Sequence, residues 1–299
     1  MTTFDYATVV ATSERVAWTV DGVFGDRAFD ASAEIVPESW VGSAALPFLD
    51  AREQRILNHC RAFSYVHLIG NFEDFVPLHL AGVLRDDVSD DPSQRRALLR
   101  FADEEVKHQD LFRTAEARLE QACGHPFGRW FDDAGTRVRK LTSAMLDYSP
   151  LARFLIVLAL EWGTQGHYVE SIRDHDDDGG DPLYADVLRA HWIEEAQHTK
   201  CGALEIARAR PETIERAFTD LAAIAGLVDA VFAGQAEEEV ATLERVSGRT
   251  LPDTERTALQ RALHDSLGCI LAGVGLGHPR FVEVARALSP AGAAALGIA

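Results

Sequence analysis

With 299 residues, 47% of them hydrophobic and 25% charged, the chain can bury one large core or two modest ones and reads as a soluble globular protein. Lys and Arg number 29 against 47 Asp and Glu, and the net charge of -18 argues against nucleic acid or an anionic membrane as partner. The four cysteines, Cys60, Cys123, Cys201 and Cys269, form no Cys-x-x-Cys, which leaves neither a thiolate metal site nor a disulfide framework. They read as buried apolar side chains in a reducing compartment, and the expected location is cytoplasmic.

Residues 1 to 48 lack sustained periodicity and contain Pro37 and Pro47, so an extended or short-helical arm over the main body is expected. A helical pattern then runs from about Asp50 to Asp86, with a kink or break at Pro77. Asp91 and Pro92 form a start signal for a second helix that runs to about Cys123, ahead of Gly124 and Pro126. A shorter helix is predicted over 133–146. The third long helix follows Pro150 and ends near Arg173. Its apolar run from Phe154 to Leu160 is too short to span a bilayer. An acidic loop from Asp174 to Asp181 separates it from a fourth helix, which opens at Pro182 and continues to about Ala209. Further helices are predicted over 211–246, 253–273 and 279–287. Without strand-type alternation, the reading is all-α and a single domain overall: an arm (1–48), a helical bundle (49–210) and C-terminal helices packed on it (211–299).

Two copies of Glu-Glu-x-x-His carry the chemistry, at Glu104-Glu105-Val106-Lys107-His108 and Glu194-Glu195-Ala196-Gln197-His198. Chance gives this pattern about 0.06 times in such a composition. A helix advances about 100° per residue, so Glu105 shares a face with His108, and Glu195 with His198. Each pair can send a carboxylate oxygen and an imidazole nitrogen to one ion. In the carboxylate-bridged bundle plan, two further helices each add a lone Glu. Glu161 is the stronger candidate, because it follows an apolar run and a buried carboxylate needs a partner, either a metal or an arginine such as Arg153. Glu73 is the other, with Asp74 as a direct competitor.

His191 lies on the stripe of Glu195 and His198 at i, i+4 and i+7, which leaves it either a seventh ligand or a hydrogen-bonding neighbour. Glu104 and Glu194 turn about 100° away from the metals and are expected to fix histidine tautomers on neighbouring helices. Gln165 and Tyr168 continue the Glu161 stripe, where they line a substrate pocket or simply pack in the core. His67, His79 and His167 fall about 120° from the ligand stripe and read as structural. The acidic run from Asp174 starts like a calcium loop, but Ala185 stands where such a loop needs Glu, so a solvated turn is expected.

On these residues the chain resembles the ferritin-like di-iron carboxylate superfamily, and His191-x-x-x-Glu195-x-x-His198 is similar to the extended motif of the p-aminobenzoate N-oxygenase branch. The resemblance covers about 50 to 209. It implies a ferritin-like four-helix bundle with Glu73, Glu105, His108, Glu161, His191, Glu195 and His198 as ligands to two iron ions, or to a manganese/iron or other divalent pair. It also implies O2 as cosubstrate, a small organic substrate with N-oxygenation of an amine among the candidate reactions, and a homodimer. No nicotinamide or flavin fingerprint is present, so electrons are expected from an external donor. The same ligands would also serve a two-metal hydrolase. A non-catalytic ferritin-like metal-binding protein is the third reading.

Overall fold

The computed structural model describes residues 4–86, 90–173 and 179–298, and among them no strand occurs. Asp174 to Asp178 of the acidic loop lie outside the described residues. The N-terminal segment takes the short-helical form of the expected arm. It holds α1 (Tyr6–Val16), α2 (Val20–Phe24) and α3 (Glu38–Val41), and α1 packs against both helices that carry the Glu-Glu-x-x-His motifs.

The first long helical pattern divides into α4 (Ala51–Glu73) and α5 (Phe75–Asp86). The side chains of Asp50 and Glu53 form a reciprocal capping box at the start of α4. The break falls at Asp74, three residues before the expected Pro77. A proline ring clashes with the carbonyl four residues earlier, which is that of Glu73, and the chain bends there. The bend places Glu73 at the last position of α4.

Next come α6 (Pro92–Cys123), α7 (Phe127–Trp130), α8 (Asp132–Met145), α9 (Pro150–Ser171) and α10 (Pro182–Ala207). The carboxylates of Asp91 and Asp181 accept from the first-turn amides of α6 and α10, and each helix opens with proline, whose missing N–H would have had no helical partner. α4 packs on α6, α6 on α10 and α10 on α9, so these four helices surround a common interior.

The C-terminal part comprises α11 (Pro211–Ser247), α12 (Asp253–Gly268), α13 (Pro279–Leu288) and α14 (Pro290–Ala295). α11 covers α4, α8 and α9. It is long and apolar enough to cross a membrane by length and composition, although it also carries the buried polar residues Gln235 and Glu239 on its inward face. After α12 the chain does not stop at 273 but widens into a π-helical stretch, Cys269–Leu276, packed along α9. Glycine permits this approach: a Cβ on Gly163 would lie 2.7 Å from the Ile270 carbonyl oxygen, and one on Gly275 would overlap that of Ala159.

The cysteines are free. Cys60 and Cys201 are buried as expected, whereas Cys123 is half-buried and Cys269 exposed, because Cys269 lies on the outer side of the π-helical stretch. His79 and His167 are buried, and desolvation pushes each down to about 3, so both are neutral packing residues. His67 bonds to Glu116 at 3.1 Å.

Candidate metal centre

α4 brings Glu73, α6 brings Glu105 and His108, α9 brings Glu161, and α10 brings His191, Glu195 and His198 into the interior, and all seven side chains are buried. Six of them form two overlapping groups, Glu73, His108, His191 and Glu195 in one and Glu105, His108, Glu195 and His198 in the other, with one donor atom per residue lying within 4.8 Å of the rest. His108 and Glu195 belong to both. Glu195 Oε1 is 3.2 Å from His108 Nδ1, 3.0 Å from His191 Nε2 and 3.4 Å from His198 Nδ1, and Glu105 Oε1 is 3.0 Å from His198 Nδ1. Glu161 stands further out, 3.9 Å from His198 Nδ1, and belongs to neither group.

The residues behind this cluster fix its histidines crosswise. His108 Nε2 lies 3.0 Å from Glu194 on α10, and His198 Nε2 lies 3.1 Å from Glu104 on α6. With Nε2–H donating to a carboxylate, each ring turns its Nδ1 toward the interior. The outer oxygen of Glu194 accepts from Lys107 Nζ at 2.6 Å, and that of Glu104 accepts from Arg100 Nε at 2.9 Å and from the Ser13 hydroxyl. Trp18 stacks on the His108 ring, Lys107 Nζ lies over the Trp18 ring, and Phe101 stacks on His198. Sequence reasoning missed Ser13, Trp18, Arg100 and Lys107. Ser13, Trp18 and Arg100 belong to no motif and Lys107 fills a variable position of one, although Arg100 and Glu104 at i, i+4 hinted at one ion pair.

Electrostatics follow from this wiring. Burial opposes charge on His108, but the carboxylates of Glu194 and Glu195 outweigh it and hold the imidazole up at about 9. His198 is raised in the same way, against burial, by Glu195 and Glu105. Burial also works against ionised Glu104, yet His198, Ser13 and Arg100 bring it down to about 2. His191 and Glu73 move the other way. Burial, then His108 and His198, lower His191, while burial, then Glu105 and Glu195, raise Glu73, and the pair meets at 2.7 Å. Raised histidines beside buried carboxylates make a centre that favours positive charge, from protons or from a cation.

Donor set and unsatisfied atoms both fit a metal. Both oxygens of Glu105, both of Glu195, Glu73 Oε2, and Nδ1 of His108 and His198 are buried without a hydrogen bond. Their short mutual distances lack hydrogen-bond alignment, as expected of atoms aimed at a shared centre. Nitrogen and carboxylate donors suit iron, manganese or zinc.

The remaining candidates are placed differently. Asp74 turns outward to Arg113 at 3.5 Å, so Glu73 is the acid that faces the cluster. Arg153 reaches the Leu146 carbonyl at 3.4 Å and, among the described residues, forms no ion pair with Glu161. Gln165 lines a cavity with Phe4, Leu158, Trp162 and Lys200, while its amide nitrogen lies 3.2 Å from the Glu161 carbonyl and 3.4 Å from that of Glu195, where it joins α9 to α10. Tyr168 packs on Trp192. A different tyrosine borders the centre. Burial, then the carboxylates of Glu73 and Glu195, raise the Tyr65 hydroxyl.

His191→Ala should keep a two-metal centre with an altered optical spectrum, because six other candidate ligands remain. An unchanged spectrum and unchanged metal affinity would leave His191 as the hydrogen-bond partner of Glu73 alone.

Compared with known proteins, the chain matches no family model and no curated protein.

Proposed function

We propose that this chain is an O2-activating non-haem di-iron oxygenase or oxidase of the ferritin-like kind, acting on a small organic substrate with electrons from an external donor. The carrying observation is the pair of buried, overlapping four-residue groups, each able to hold an ion, that share Glu195, a carboxylate with two oxygens to offer. In this reading Glu105 and Glu195 would hold the ions with His108 and His198, whose Nδ1 atoms face the interior, and Glu73, Glu161 and His191 would complete the set. When bound, two redox-active ions would supply electrons to dioxygen.

The chain's own contribution is positioning and exclusion. Glu104 and Glu194 hold the histidine tautomers, and Lys107 and Arg100 balance those acids from the partly exposed side. Phe101, Phe112 and Trp18 pack directly on the three imidazoles and keep water from them. Amine N-oxygenation, a homodimer and a cytoplasmic setting remain part of the proposal.

Metal analysis after iron-supplemented expression should give about two ions per chain. Glu161→Ala should lower that content, and Glu170→Ala, on the exposed face of α9, should leave it unchanged. With reductant the loaded protein should consume O2. A chain without metal would overturn the reading. A loaded chain indifferent to O2 that cleaves an ester, amide or phosphate would replace it with the two-metal hydrolase.

A further inference from the structure

One cavity touches the cluster directly. It is a slot of about 30 Å³ between α4, α5, α8 and α9, walled by Ile69, Phe72, Val76, Met145, Val157 and Leu160, and the side chains of Glu73 and Glu161 stand in its lining. The larger pockets around Arg55 and His59, around Arg208 and Arg216, and around Lys200 and Arg280 are lined by none of the seven candidate ligands.

The lining of the slot selects its occupant. Its polar residues are the two acids and Thr164, and the Thr164 hydroxyl is already donated to the Glu161 carbonyl at 3.1 Å. The slot therefore offers an incoming molecule no cation and no free donor. An anion finds no cation to pair with, and a polar molecule would lose its hydration without replacement. Size narrows the choice further. An apolar cavity that holds benzene measures about 150 Å³, whereas about 10–15 Å³ suffices for one water-sized probe. The slot thus fits a molecule of two or three heavy atoms and excludes an aromatic ring.

We propose that this slot is the route by which an uncharged diatomic gas, dioxygen, reaches the Glu73 and Glu161 side of the centre, separately from any organic substrate. The assignment rests on the oxygen-activating reading given above. Its logic is partition: a small apolar gas gains from leaving water for an apolar wall, while ions and water do not.

Xenon, apolar and of similar bulk, is the probe. Crystals of the metal-loaded protein under xenon pressure should show the gas between Val157, Leu160 and Val76. Val157→Phe should fill the slot, abolish that xenon site and slow O2 consumption by about tenfold or more at unchanged metal content. Leu160→Phe, at a half-buried position, is the second variant should overpacking at Val157 compromise folding, and the same losses are expected of it. O2 consumption in the absence of xenon at the slot overturns the route alone, as does a wild-type rate in a folded variant that has lost its xenon site. Xenon bound in a loaded protein that never consumes O2 overturns the oxygenase reading, and with it the gas assigned here.

Discussion

Glu195→Ala is expected to cost the chain more metal than any other single replacement. Its carboxylate belongs to both four-residue groups and comes within 3.0–3.4 Å of a nitrogen on each of the three histidines. Content should fall from about two ions per chain to fewer than about one. Glu195→Gln keeps the volume and removes only the charge, so it should fold normally and fail in the same way. Replacing Glu104 or Glu194 should be milder. These acids only orient His198 and His108, and losses of about 10–100-fold in affinity are typical of such partners. Titration of the metal-free variants with ferrous ion, read by elemental analysis, orders the three effects. Normal loading of Glu195→Gln would show that the two ions do not share this carboxylate.

Arg61→Met should be the most destabilising change away from the centre. Arg61 is 1% exposed and Glu239 0% exposed, and Arg61 Nη1 lies 3.1 Å and 3.2 Å from the two Glu239 oxygens. Arg61 Nη2 donates to Ser266 at 2.9 Å, and Ser64 donates to Glu239, so one ion pair joins α4 to α11 and α12. Removing the guanidinium strands a buried carboxylate, at about 3–5 kcal/mol. At about 2–4 °C per kcal/mol, the melting temperature should drop by roughly 10 °C. The double variant Arg61→Met with Glu239→Met should recover most of that loss, because a neutral apolar pair leaves no charge unmatched. Single and double variants that melt together would show that the pair contributes nothing.

What could be read from the sequence was local. Asp91-Pro92 and Asp181-Pro182 announce helix starts through a cap and a fixed φ, and His191, Glu195 and His198 share a stripe because the helix period requires it. Pro77 announced a break, but its clash acts four residues upstream, which moved the bend to Asp74 and set the final position of Glu73. Contacts between distant segments left no local trace. Arg61 and Glu239 are separated by 178 residues and belong to no motif. The π-helical widening depends on how closely Gly163 and Gly275 let two segments approach, which periodicity does not encode. Gln165 lines a cavity, as one of its two readings had it, but none of the seven candidate ligands lines that cavity, which the helix period alone could not tell.

The docking of α1 has a consequence for the order of events during synthesis. Ser13 reaches Glu104 across 91 residues, and Tyr6 donates to Glu205 across 199, at 2.7 Å. α1 is therefore made well before the second of the two helices it docks on, and waits for it. Until α10 has emerged, α1 lacks one of the two helices it packs against, and neither His198 nor Glu194 is present to complete the crosswise histidine pairs. The full set of donors thus exists only once α10 has been made, and that flank is closed by a segment synthesised well before it.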